Sequence, residues 1–325
     1  MTATPFSATS APWTSIGRMV RGTARPWAIA VASVCILASG CTGGTDTGAP
    51  ETSQTTSDQP SPTKTASPTK STSPSPVKVP HEFDPKNFTA EGSHVNPWLP
   101  MTVGVQSVRR GLVTVGDRRI PHIRVTTVTD VTKKIDGVAA FLVLDQDFDD
   151  GQLSEQAIDY LAQDVGGNVW YLGSYTEAYE GGQFLNAEDA WLAGVNGAEV
   201  GLYFPGDPTV GSPPFMQVQI AGGEQSSAQV VKVGAKTCVP FDCFENVVVV
   251  EEDGSEHKYW APGIGGILTE PLSGAAQETE QLINVRELSP TGLAELSKEV
   301  LRLDAHAATV VPSVFGPSAA AVRAR

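Results

Sequence analysis

The chain has 325 residues, 40% of them hydrophobic and 18% charged, enough to build one large domain or two small ones. Its formal net charge of −14 argues against nucleic acid as a partner and against attachment to anionic headgroups through a basic surface.

At the N-terminus, Arg18, Arg21 and Arg25 precede the apolar run Trp27–Ala38, which is too short for a stable membrane span and right for the hydrophobic region of a signal peptide. Ala38-Ser39-Gly40-Cys41 follows at once and resembles a lipobox, with Leu37 one place further out than the usual leucine. The resemblance implies that residues 1–40 are a lipoprotein signal peptide and that Cys41 is acylated, anchoring the mature chain to the outer face of the cell membrane. Met19 would give a more ordinary start than Met1. Losing the three arginines leaves 19 bases against 36 acids, a net charge of −17. In an oxidising compartment Cys238 and Cys243 are then an even pair with no thiol left over.

Residues 41–82 are rich in Ser, Thr and Pro, with the repeats Ser61-Pro-Thr-Lys64 and Ser67-Pro-Thr-Lys70. Such a stretch cannot bury enough surface to offset backbone ordering, so it is expected to be a disordered, semi-rigid spacer reaching roughly tens of ångströms from the bilayer.

Residues 83–270 carry β-branched and aromatic runs punctuated by turn signals, the pattern of an antiparallel meander. Strands are predicted near Val103–Val115, Arg119–Thr129, Val138–Phe148, Gln152–Gln163 and Asn168–Tyr175. A second set is predicted near Phe215–Ile220, Gln229–Gly234, Asn246–Glu252, Glu256–Ala261 and Ile264–Thr269. Gln152–Gln163 would also make a helical stripe behind Ser154, but the Asp150-Gly151 and Gly166-Gly167-Asn168 turns on either side favour a strand. The runs flanking Val239-Pro-Phe-Asp242 look like two arms of one hairpin, which predicts a disulfide between Cys238 and Cys243. Residues 271–304 are expected to be an appended segment with a short helix opening at Ser289-Pro290 and carrying Leu293, Leu296, Val300 and Leu301 on one side. Residues 305–325 are expected to be a disordered tail.

Three phrases, Asn96-Pro-Trp-Leu-Pro-Met101, Gln163-Asp-Val-Gly-Gly-Asn-Val-Trp-Tyr171 and His257-Lys-Tyr-Trp-Ala-Pro-Gly-Ile-Gly265, resemble those of an uncharacterised family of bacterial secreted and lipoprotein β-domains. The likeness covers most of residues 96–270, and the family is similar in outline to LolA-like half-barrel envelope proteins. It implies a mainly β fold, a curved antiparallel meander sheet that is half-barrel-like, and it brings no catalytic residue with it.

The chain has no Gly-x-Ser-x-Gly, and its five histidines are scattered without the spacing of zinc ligands. No catalytic residue, cofactor or metal site is therefore assigned. Asp145-Gln-Asp147-Phe-Asp149-Asp150-Gly151 suggests calcium, but Asp150 stands where an EF-hand loop needs glycine and Gln156 where it needs glutamate. The run reads instead as a solvated strand edge closing in a turn. Trp98, Trp170, Trp191 and Trp260 read mainly as core residues rather than a sugar platform. The expected function is a binding or scaffold module of the envelope, for an apolar ligand in the first place, with docking of an envelope protein or wall polymer as the alternative and a hydrolase less favoured.

Overall fold

In a computed structural model the chain is described over residues 82–88, 96–187, 189–272 and 278–324. The expected signal peptide, Cys41 and nearly all of the expected spacer lie outside these residues.

The first half is a meander of long strands, β1 (Val105–Val115), β2 (Arg118–Ile135), β3 (Val138–Asp149), β4 (Gln152–Gln163) and β5 (Val169–Glu180). Asp136-Gly137 and Asp150-Gly151 have positive φ at both residues, the geometry that lets a two-residue hairpin follow the natural twist of its strands. Gln152–Gln163 is a strand, as its flanking turns predict. Four short strands follow, β6 (Gln183–Asn186), β7 (Ala190–Leu192), β8 (Ala198–Glu199) and β9 (Gly201–Phe204). The second half adds β10 (Phe215–Ile220), β11 (Gln225–Cys238), β12 (Cys243–Glu252), β13 (Glu256–Ala261), β14 (Gly265–Pro271) and β15 (Thr279–Glu287).

All belong to one antiparallel sheet whose main path runs β6-β5-β4-β3-β2-β1-β15-β14-β13-β12-β11-β10-β8. Strand β9 pairs with β5 on one side and lies against β10 on the other, where a Cβ on Gly201 would stand 1.8 Å from the Gln217 carbonyl oxygen. The sheet thus curls until its ends approach, but the path is not closed. The mainly β, curved antiparallel expectation holds.

Two boundaries need correction. Strand β15 is not an appendage beyond residue 270, because it pairs with both β1 and β14 and so joins the two halves. The tail after Ala305 is ordered: helix α1 runs Pro290–Val310, α2 (Pro312–Phe315) follows, and β16 (Val322–Arg323) pairs with β2. Alanine-rich sequence with few large side chains looks dispensable, yet Val314 and Phe315 are buried and anchor it.

Ser289 caps α1 by accepting from the Gly292 amide at 3.1 Å, and Pro290 starts the first turn, as the sequence indicates. The face that α1 buries is centred on Ser297, Val300, Leu303, Asp304 and Ala307, rotated from the predicted leucine stripe. It packs on β2 and β4 over the outer face of the sheet, where Val131 on β2, Leu142 on the intervening β3, and Ile158 and Tyr160 on β4 are almost fully buried. Lys133, on the same face, donates to both oxygens of Asp304 at 2.8 and 3.0 Å. The carboxylate also accepts from the Tyr160 hydroxyl at 2.8 Å and the Ala321 amide at 3.1 Å. Every charge in this buried group is paired.

At the end of the β11–β12 hairpin Cys238 and Cys243 face each other, 4.0 Å apart between Cα atoms, and are joined by a disulfide. The loop they close folds back so that the Phe241 amide donates to the Leu282 carbonyl on β15.

Candidate functional site

The three phrases singled out in the sequence meet in space. Asn96 is fully buried; its amide nitrogen donates to the Gly167 and Pro205 carbonyls at 2.9 and 3.0 Å, and its oxygen accepts from the Trp98 and Leu99 amides. Asp164 accepts from the Gly166 and Asn168 amides, from the Asn168 side chain and from the Trp170 indole. The Gly263 amide donates to the Pro97 carbonyl at 2.7 Å. These hydrogen bonds tie loop to loop and serve fold closure, although the Trp260 indole nitrogen in the third phrase is buried without a partner. Trp170, Trp191 and Trp260 are buried, in line with the core reading, and the Trp98 indole donates to the Asn246 carbonyl.

The inner face of the sheet is different. The run Asp145–Asp149 is not a solvated edge, since β3 pairs with β2 and β4 along its length. Asp145 and Asp147 point into a cavity of about 320 Å³ lined also by Glu155, Asp159, Asp189, Glu224 and Glu252, against which, among the described residues, stand two cations, Arg124 and Lys258. Both cations are already engaged, Arg124 with the two oxygens of Asp147 at 2.8 and 2.9 Å and Lys258 with Glu252 at 2.6 Å and Glu256 at 3.2 Å.

Register places Asp145 opposite Ala157 and Asp159 opposite Val143, so the two aspartates are diagonal neighbours on one face. Burial, reinforced by Asp145, pushes Asp159 up to about 7; burial also raises Asp145, against the pull of Arg124 and Arg109. Burial and the neighbouring Asp147 raise Glu155 to about 7, and burial with Glu224 raises Asp189 to about 6. Tyr171 donates to Asp159 at 2.5 Å and Thr126 donates to Asp145. Carboxyl groups so placed hold protons near neutrality.

A second, smaller space of about 120 Å³ shares Arg124, Asp145, Asp159, Tyr203 and Lys258 with the first and is otherwise walled largely by apolar groups, Leu99, Met101, Trp260, Ile264 and Leu268 among them. Acidic and apolar compartments therefore abut on the concave side.

The same face carries a group that sequence spacing gives no hint of. Across four strands one row of register reads Asp149 on β3, His122 on β2, Gly111 on β1 and Glu280 on β15. Gly111 has no side chain to separate its neighbours, and a Cβ there would come within 1.4 Å of the Thr279 carbonyl oxygen. His122 Nε2 stands 3.5 Å from Glu280 Oε1 and 3.5 Å from Glu278 Oε1, while its Nδ1 is 2.8 Å from Asp149. Burial alone would lower the imidazole, but the carboxylates of Glu280, Asp149, Glu278 and Asp147 outweigh it and raise it to about 9. Glu278 is pushed up to about 8 by burial and by Glu280, whereas Arg109 and Arg124 overcome burial to hold Glu280 well below the usual carboxylate range. Among the described residues this is the one set of three or more His, Cys, Asp and Glu side chains placed to share an ion.

No family model matches the chain, and no curated protein matches it. Two solved structures are similar in part. A protein described as exported, with a YmcC-like fold, from Bacteroides fragilis is 13% identical over 57% of this chain and 97% of its own, with a TM-score of 0.31. A protein described as a lipoprotein from Parabacteroides distasonis is 11% identical over 59% of this chain and 100% of its own, with a TM-score of 0.24. Likeness at this level carries no argument about function.

Proposed function

We propose that the chain is a lipid-anchored module of the cell envelope whose curled sheet binds a small amphipathic ligand bearing a positive charge. The observation that carries this reading is the inner cavity, where seven carboxylates face two cations that already have partners. A ligand cation would let Asp159, Glu155 and Asp189 ionise, and its apolar portion would occupy the space beside Leu99, Met101 and Trp260. An entirely apolar ligand would instead bury these polar groups without compensation, at several kcal/mol each. The apolar ligand expected from sequence thus narrows to one part of an amphipath.

Anchoring rests on the N-terminal sequence, in which the apolar run leads directly into Ser39-Gly40-Cys41. Cys41→Ala should release the protein from the membrane fraction or leave it unprocessed, and a variant processed and retained like wild type would contradict the anchor. Binding is tested by native mass spectrometry of the mature protein purified from its own membranes. A cationic small-molecule adduct is expected on the wild type and not on the Glu155→Gln/Asp159→Asn variant. A bare wild-type chain, or the same adduct on both, would overturn the reading.

A further inference from the structure

We infer that His122, Glu278 and Glu280 form a binding site for a divalent transition cation, zinc being the reference ion. Each side chain aims one atom into the cluster, and those three atoms, His122 Nε2, Glu278 Oε1 and Glu280 Oε1, are buried without a hydrogen-bond partner. The His122 and Glu280 side chains are only 3% and 2% exposed. Leaving three polar atoms unsatisfied in such a place is costly, and a shared ion is a direct way to satisfy all of them at once.

The geometry supports a small, four-coordinate ion. Ligand atoms on a tetrahedral ion with bonds of about 2.1 Å stand about 3.4 Å apart. The two nitrogen-to-oxygen separations here are both 3.5 Å. Asp149 accepts from Nδ1 at 2.8 Å, which leaves the Nε2 lone pair facing the glutamates, the carboxylate–histidine support common behind metal-bound imidazoles. Asp147 Oδ1 lies 3.8 Å from Nε2 but is held by Arg124, so the fourth position falls to water or a ligand.

In the ion-bound state, with the imidazole neutral and Glu278, Glu280, Asp147 and Asp149 ionised, four negative charges would stand against those of Arg124 and Arg109, so one divalent cation would leave the cluster neutral. Arg124 approaches Glu280 Oε1 at 3.2 Å and Glu278 Oε1 at 3.5 Å without forming a hydrogen bond to either. One imidazole nitrogen with two carboxylate oxygens suits zinc-like ions, whereas calcium requires six or more oxygens. The Glu278 side chain, 27% exposed, marks the way in.

The test uses the mature acylated protein in detergent, stripped with chelator and dialysed against Zn²⁺, with metal counted by elemental analysis. One zinc per chain is expected, and Co²⁺ in its place should give the intense visible absorption of a four-coordinate site. Glu280→Gln and Glu278→Gln should each weaken binding at least tenfold. Glu278→Gln, at the accessible rim, should do so with an unchanged circular dichroism spectrum, which separates ligand loss from misfolding. A hundredfold excess of Ca²⁺ should not displace the zinc. Absence of stoichiometric zinc, binding unaffected by either substitution, or ready displacement by calcium would overturn the assignment.

Discussion

The two faces of the first meander both bury charge, and they treat it in opposite ways. Beneath α1, Lys133 and Asp304 meet with every polar atom engaged, and the rings of Tyr160 and Phe315 lie 5.9 and 5.8 Å from the lysine nitrogen. On the concave side the same strands line a cavity with clustered carboxylates, and His122 Nε2 stands with Glu278 Oε1 and Glu280 Oε1, at the start of β15, without a hydrogen bond. A saturated network fixes the fold; an unsaturated one holds an unbalanced charge that an external group can neutralise. Chain position does not distinguish them, since Lys133 and Arg124 lie on one strand.

The largest effect should come from breaking the satisfied face. Asp304→Asn leaves the Lys133 charge buried and unpaired, and should cost about 4 kcal/mol in urea unfolding. Asn96→Ala removes four hydrogen bonds that join the loops and should cost about 3 kcal/mol by the same measurement. Replacing Cys238 and Cys243 together by Ser should cost about 2 kcal/mol, because the loop they close is short. A cost near zero for any of these would remove that contact from the structural side of the comparison.

A smaller and oppositely directed effect is expected from the concave face. Folded Asp159 and Glu155 titrate near 7, above their unfolded values near 4, so the folded state holds protons that the unfolded chain has released. Their contribution is complete below about pH 4 and is lost as pH rises to about 7. His122, raised to about 9 in the metal-free protein, contributes fully below about 6.5 and loses that contribution through pH 9. Ligand-free protein should therefore show a melting temperature that declines from pH 5 to pH 9. A rise over that range would contradict the raised values.

Much of this fold is legible in sequence because its long strands alternate and end in Asp-Gly or Gly-Gly pairs, which have few other uses. Strands β6 to β9 were beyond reach, being two to four residues long with no period to read. Strand β15 lacks a run of β-branched residues, and the C-terminal segment hides Val314 and Phe315 among small residues. The site is harder for a physical reason. Asp145, Asp147 and Asp149 alternate along β3 as they would on a strand with one wet face, and only the curl of the sheet turns that face inward. His122 meets Glu278 and Glu280 through three strands of register, a relation that no local spacing encodes.

On the proposed reading, charge on the concave face is kept for a bound group at a cost to folding, whereas charge beneath α1 is kept for folding itself. The most direct test compares urea unfolding of ligand-free Asp159→Asn and Asp304→Asn with wild type at pH 8. Asp159→Asn retains acceptors for Tyr171 and Ser174 while removing a buried charge, so it should stabilise by on the order of 1 kcal/mol. Asp304→Asn should destabilise strongly. Opposite signs are the predicted result, and destabilisation of both to a similar extent would contradict the account.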